Sequence, residues 1–178
     1  MNVGHEKFPQ RKSLAHVPPV ERHDRPIILF VTLTVQPRGD FLVSDSFHAV
    51  FLEACRDADA WSVGRYVIMP DHVHLFCAPA RWPPVDIRRW AGYLKRRVTI
   101  RLEAARGDAR PPNGDAGGRA SLRAAPWRWQ SDCWDTQMRS GDQYHEKGLY
   151  VRENPMRAGL VEDAEAWPFQ GELNVLQW

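Results

Sequence analysis

Two histidines separated by a single residue form the first pattern in this sequence that could do chemistry. His72 and His74 follow the apolar stretch of residues 67–69 and the Pro70-Asp71 dipeptide. Side chains two positions apart on a strand point to the same face, so the two imidazoles are expected to lie side by side. Adjacent imidazoles can bind one divalent metal ion. This spacing also occurs often by chance, and a pair of surface histidines remains the alternative interpretation of the motif by itself.

The second pattern places Tyr150 four residues before Asn154. Residues four apart share one side of a helix, so a phenol and an amide oxygen could reach the same metal ion. Two alternatives stay open. Tyr150 can be a packed aromatic residue. Asn154 can cap a short helix that begins at Pro155 and is closed by Gly159.

A run of basic residues without an intervening acid occupies positions 88–101. A local concentration of positive charge of this kind attracts a nucleic-acid backbone, although a solvated helix face has the same composition. The overall net charge of +2 is too small to identify a partner. The residues predicted to contact DNA are Arg88, Arg89, Lys95 and Arg96.

Apolar periodicity predicts an α+β fold with the element order β-α-β-β-α-β-α. This order is typical of a ferredoxin-like (RRM-like) antiparallel sheet with two helices on one face and the other face free to hold a site. A C-terminal helix then carries Tyr150. The predicted strands are 27–35, 61–69, 72–77 and 127–130, and the predicted helices are 46–59, 84–105 and 142–153.

The length of 178 residues predicts one domain, over residues 27–170. An extended basic arm is expected at 1–26, where Pro18-Pro19 disfavours regular structure. A stretch of Gly, Ala, Arg, Pro and Asp at 107–125 predicts a mobile loop insertion, and residues 171–178 form a tail.

The composition predicts a cytoplasmic protein. No apolar stretch approaches the roughly 18–20 residues of a membrane span, and the first 25 residues lack the apolar core of a signal peptide. The three cysteines are widely spaced and odd in number, which agrees with a reducing compartment and argues against a disulfide framework.

Taken together, the histidine and tyrosine motifs closely resemble those of the REP-associated tyrosine transposases, which belong to the single-tyrosine HUH transposase superfamily. The resemblance covers most of residues 27–170. The residues that carry it are Val67-Ile68-Met69-Pro70 before His72-Val73-His74, Tyr150 before Asn154-Pro155 and Arg157-Ala158-Gly159-Leu160-Val161, and also Trp129-Gln130, Trp134 and Trp167-Pro168-Phe169.

The resemblance implies that His72 and His74 are metal ligands, that Tyr150 is the nucleophile, and that Asn154 stands where the superfamily often has a polar third ligand. It also implies cleavage of single-stranded DNA, at palindromic repeats that fold as hairpins, through a 5′-phosphotyrosine intermediate. The expected cofactor is Mg²⁺ or Mn²⁺, and two nitrogen donors favour Mn²⁺. A monomer or homodimer is expected. The arm at 1–26 and the loop at 107–125 depart from the family pattern.

Three rival functions are compatible with parts of the sequence. A sheet can bind RNA or DNA through stacking aromatic residues without cutting it. A transposase that has lost catalysis can persist as a DNA-binding regulator. A zinc hydrolase would use Cys77 with the two histidines, but on a strand Cys77 falls on the opposite face from them.

Overall fold

The computed structural model describes Pro19 and residues 26–108 and 126–178. Within these residues no helix is long and apolar enough to cross a membrane. Except for Pro19 and Pro26, the predicted arm lies outside the described residues. Residues 109–125 of the predicted loop also lie outside them.

The strands are β1 (Leu29–Gln36), β2 (Trp61–Ile68), β3 (His72–Pro79), β4 (Arg128–Trp129), β5 (Trp134–Gln137) and β6 (Gln170–Glu172). The helices are α1 (Asp45–Asp57), α2 (Ile87–Asp108) and α3 (Gly141–Arg157), with a 3-10 turn at Ala164–Ala166.

The sheet runs in the order β4-β1-β3-β2-β6, and β5 also pairs with β1. Each of these pairings is antiparallel. β1 and β3 form the centre, β2 flanks β3, and the short strands β4 and β5 share the edge position beside β1. This is the ferredoxin-like strand order, so the predicted α+β class is confirmed.

One face of the sheet packs against α1 and α2. The odd-numbered residues of β1, from Leu29 to Val35, are buried there, and Val73, Leu75 and Cys77 of β3 join them. The apolar side of α2 contributes Trp90, whose indole N–H donates to the carbonyl of Ala58. Burial of these side chains on one face stabilises the fold and leaves the even-numbered residues of β1 on the other face.

A β-bulge in β2 changes which residues face each side. The pairing of β2 with β3 shifts register between Val63 and Tyr66. Trp61 and Val63 before the bulge and Tyr66 after it therefore all belong to the core shared with α1 and α2. The shift leaves Val67 on the opposite face, where it pairs with His74.

The sequence predicted that the second face of the sheet would be free. In the structure, α3 and the C-terminal segment cover part of this face. Phe76 of β3 and Val151 of α3 are buried together in a smaller core. Trp167 belongs to the same core, and its indole N–H donates to the carbonyl of Ile68. Because α3 lies across this face, any site on the sheet must be built between the strands and this helix.

Helix α3 is longer than predicted. Its N-cap is Ser140, whose hydroxyl accepts from the backbone N–H of Gln143, and the helix ends only at Arg157. Gly159 then adopts φ 71°, and its N–H donates to the carbonyl of Met156 while that of Leu160 donates to Pro155. This is a Schellman C-cap. Asn154 and Pro155 lie inside α3, so the alternative in which Asn154 caps a separate helix is wrong.

Candidate active site

The two histidines open strand β3 immediately after the Pro70-Asp71 turn, and both lie on the face away from α1 and α2. His72 pairs with Thr34 and His74 with Thr32 of β1. Their ring centroids are 4.6 Å apart. Strand parity therefore predicted their face correctly. It also excluded Cys77, which is fully buried in the opposite core.

Hydrogen bonds hold both imidazoles so that their Nε2 atoms face each other at 3.2 Å. The Nδ1 atom of His72 lies 2.6 Å from a carboxylate oxygen of Asp71, and Nδ1 of His74 lies 2.8 Å from the hydroxyl of Thr32. A carboxylate only accepts, so a neutral His72 carries its proton on Nδ1 and presents a lone pair on Nε2. The hydroxyl of Thr32 can donate or accept, and either tautomer of His74 is compatible with the geometry.

The environment of His74 keeps its imidazole neutral. The residue is only 8% exposed and its ring lies 5.1 Å from that of Phe30. Burial, and to a smaller extent the nearby His72 and Lys147, lower the pKa of His74 to about 3. A neutral imidazole is the form that can donate a lone pair to a metal ion.

Tyr150 projects from α3 toward this pair. Its ring centroid lies 6.1 Å from that of His74, and the residue is 37% exposed. Two cations from the same helix flank the phenol ring. The ammonium of Lys147 is 4.8 Å and the guanidinium carbon of Arg157 is 5.6 Å from the ring centroid. The phenol thus lies beside the imidazoles in a positively charged setting.

The other three tyrosines do not contact the histidine pair. Tyr144 packs edge-on against Phe76 at 5.0 Å, and burial raises its pKa. Tyr66 lies in the opposite core, and its hydroxyl is 2.8 Å from Nε2 of His48. Tyr93 is exposed on α2.

Asn154 lies one helical turn beyond Tyr150. Its side-chain Nδ2 atom is buried and has no hydrogen-bond partner among the described residues. Most buried polar atoms are satisfied, and leaving one unsatisfied costs about 1–3 kcal/mol. Among the same residues, no group of three or more His, Cys, Asp or Glu side chains could hold a metal ion. The prediction that Asn154 is a third ligand beside the two histidines stays a prediction.

Lys95, one of the four residues predicted to contact DNA, is buried against a neighbouring loop. Lys95 is 6% exposed, and burial lowers its pKa. Its ammonium donates to the backbone carbonyls of three residues in the loop between β4 and β5, at 2.8–3.2 Å. In this conformation the ammonium of Lys95 secures the loop, and its contact with DNA stays a prediction.

The other basic residues of α2 are divided between ion pairs and solvent. Arg97 and Arg101 both bind Asp57 of α1, and Arg88 binds Asp132 at 3.1 Å. Arg89 and Arg96 are exposed, and no ion pair involves their side chains within the described part of the chain. All of them belong to the helix that covers the other face of the sheet, across from the histidines.

Four residues of the site were missed by the sequence reasoning. Asp71 directly precedes the first histidine, while Lys147 and Arg157 lie three residues before and seven after Tyr150, on its side of the helix. Helical spacing could have identified the two cations. Thr32 becomes adjacent to the pair only through the β1–β3 register, for which the sequence carries no local signal.

Comparison with known proteins places the fold among those of solved transposases. The chain aligns with the structure of a REP-associated tyrosine transposase bound to a REP hairpin, with a TM-score of 0.57 and 19% identity over 85% of this chain and 80% of that one. A candidate transposase from Deinococcus radiodurans R1 aligns with a TM-score of 0.47 and 17% identity, over 75% of this chain and 95% of that one. No family model and no curated protein matches the sequence. The resemblance inferred from the motifs is confirmed at the level of the fold.

Proposed function

We propose that this protein is a metal-dependent endonuclease and strand transferase for single-stranded DNA. In this proposal it acts on hairpin-forming palindromic repeats, and Tyr150 is its nucleophile. The observation that carries the proposal is the position of the Tyr150 ring beside His74, whose Nε2 atom faces that of His72 at 3.2 Å. The shared fold with a transposase bound to a REP hairpin supports the choice of DNA as substrate.

The donor set fits a divalent metal ion. The Nε2 atoms of His72 and His74 face each other at 3.2 Å, so one ion could accept a lone pair from each. Asp71 and Thr32 would orient the two rings from behind, as outer partners of metal-bound histidines commonly do. His72, His74 and the amide of Asn154 would hold Mn²⁺ or Mg²⁺. The bound ion would withdraw charge from the scissile phosphate.

The chain's own residues would perform the cleavage. The phenolic oxygen of Tyr150 forms a bond to phosphorus as the bond from phosphorus to the 3′ oxygen breaks. The phenol loses its proton and the departing oxygen gains one, leaving a free 3′-hydroxyl and a 5′-phosphotyrosine. Lys147 and Arg157 flank the phenol and would hold the non-bridging phosphate oxygens. The reverse reaction joins a 3′-hydroxyl to the same phosphate.

A DNA-binding regulator without cleavage is the second candidate function. One observation favours it: the hydrogen-bond contacts of the two imidazoles can be satisfied without a metal ion. If the hydroxyl of Thr32 donates to Nδ1 of His74, the proton of His74 lies on Nε2. The 3.2 Å contact with His72 is then an N–H···N hydrogen bond, and the pair is satisfied without a metal ion.

Metal binding and strand cleavage, measured together, separate the two candidates. We expect Mn²⁺ to bind the purified protein in titration calorimetry and to support cleavage of a pool of hairpins with randomised single-stranded flanks. His74→Ala should abolish both, and Asp71→Asn should weaken Mn²⁺ binding about 10- to 100-fold because the ring of His72 loses its orienting carboxylate.

The matched control is Asp59→Asn, which removes an exposed carboxylate paired with Arg81 and should change neither measurement. Cleavage that continues undiminished in excess EDTA would contradict the metal-dependent mechanism. Hairpin binding without cleavage at any Mn²⁺ concentration would instead select the regulator.

A further inference from the structure

The edge strand β5 presents a tryptophan on the same face as the histidine pair. Thr32 of β1 pairs with Trp134 on one side and with His74 on the other. Directly paired residues project on the same side of a sheet. Neighbouring strands are about 4.8 Å apart, so Trp134 lies about 10 Å from His74 along one row of side chains.

The side chain of Trp134 is more exposed than that of Tyr150, which lies on the same face and is 37% exposed. Trp134 is 51% exposed, whereas Trp127 and Trp129 pack against Phe47 in the core beneath α1 and α2. On its own face, Phe76 is fully buried under α3. An exposed indole offers a flat aromatic surface on which an unpaired base can stack.

The charges around this surface indicate the kind of ligand. Arg128 of β4 is exposed and pairs with Gln36, whose even number places both on the face of the histidines. On the far side of the pair, Lys147 and Arg157 flank Tyr150. An exposed aromatic residue between cations is the arrangement that binds single-stranded nucleic acid, because bases stack on the ring while phosphates follow the charges.

We propose that Trp134 stacks on one unpaired base of the DNA substrate and so positions the strand across β1 toward Tyr150. This inference rests on the proposed function. Stacked nucleotides rise about 3.4 Å each, so the base lies within about three nucleotides of the scissile phosphate. The indole is the surface that contacts the base. The DNA strand passes over Thr32, which lies between Trp134 and His74.

Fluorescence anisotropy with a labelled hairpin that has single-stranded flanks tests the inference, with EDTA present so that binding is measured without cleavage. Trp134→Ala should weaken binding about tenfold, the effect of losing one base stack, and Trp134→Phe should retain most of the affinity. The matched control is Trp82→Ala. Trp82 is 58% exposed but follows the end of β3 that is farthest from His72, and its loss should leave binding unchanged.

A scan of single abasic sites through the flanks then locates the base. At one position the wild-type protein should lose the same tenfold, and the Trp134→Ala variant should lose nothing further. Equal affinity of wild type and Trp134→Ala would overturn the inference, and so would a loss that is independent of the abasic position. Conversion of a dimer to a monomer by Trp134→Ala in sedimentation would also overturn it, because the indole would then cover a second copy of the chain.

The binding and cleavage measurements distinguish a failure of the proposed function from a failure of the stacking role of Trp134. If wild type binds no hairpin, both the function and the stacking role are wrong. If wild type and Trp134→Ala bind, cleave and form the covalent adduct equally well, the stacking role alone is wrong.

Discussion

At the scale of single residues, two cations distinguish the surroundings of Tyr150 from those of a packed aromatic residue. Lys147 also lies 5.2 Å from the ring centroid of Phe30, so it stands over the sheet as well as over Tyr150. Arg157 is held in place by an ion pair with Glu153 at 3.0 Å. Positive groups at these positions would meet a phosphate that approaches the phenol.

Replacing both cations should therefore reduce the salt dependence of DNA binding. We expect Lys147→Ala combined with Arg157→Ala to flatten the slope of log K against log salt by about 1.4, which is about 0.7 for each phosphate of a single strand that the variant no longer neutralises. Binding to a single-stranded oligonucleotide over a range of salt concentrations measures the slope. An unchanged slope would contradict the assignment of these two residues to the DNA path.

A second double variant, Arg89→Ala with Arg96→Ala, tests the predicted DNA contact of two of the four α2 residues. These two side chains are exposed on the helix that covers the other face of the sheet. A similar flattening would extend the DNA path to α2, while an unchanged slope would assign both residues to a solvated helix face.

At the scale of elements, the end of α3 determines where the site residues of this helix lie. Tyr150, Asn154 and Arg157 occupy about the last two turns, and the Schellman cap at Gly159 fixes the end. A residue with a Cβ atom in the left-handed conformation of Gly159 is strained by about 1–2 kcal/mol.

Two glycine-to-alanine variants should therefore have opposite effects on stability. Gly159→Ala should lower the free energy of unfolding by about 1–2 kcal/mol. Gly92 lies within α2, where an added Cβ meets nothing within 4 Å, so Gly92→Ala should raise it by about 0.5–1 kcal/mol. Urea unfolding of the two variants and wild type measures both changes. If both substitutions changed the free energy of unfolding in the same direction, the cap would not hold the end of α3 as described.

At the scale of the whole molecule, the sheet separates a core under α1 and α2 from a second face that carries the candidate site. The sequence predicts which side chains lie on each face, because this follows from local alternation, but it does not predict that α3 covers part of the second face. The odd residues of β1 are apolar, and the parity of β3 puts His72 and His74 opposite Val73 and Leu75. Periodicity needs only neighbouring residues, so it predicts which face a side chain occupies.

Features that depend on contacts between distant segments could not be predicted in this way. The β4–β5 loop buries Lys95, and Asp57 of α1 neutralises two arginines for which the sequence of α2 offers no acidic partner. The run from Asn154 to Gly159 suggests a new helix because Asn followed by Pro is typical of a helix start. Packing of Val151 and Pro155 in the interior instead keeps α3 continuous.

The covalent attachment of DNA to Tyr150 is the most direct test of the proposed mechanism. Incubation with Mn²⁺ and a hairpin that carries single-stranded flanks, followed by proteolysis and mass spectrometry, should find nucleotide on the peptide that contains Tyr150. Tyr150→Phe removes one oxygen from an exposed ring, so it should keep the fold and the hairpin affinity and form no adduct. The matched control is Tyr144→Phe, which alters the packed tyrosine of the same helix and should leave the adduct intact. An adduct on Tyr144, or cleavage by the Tyr150→Phe variant, would contradict the mechanism.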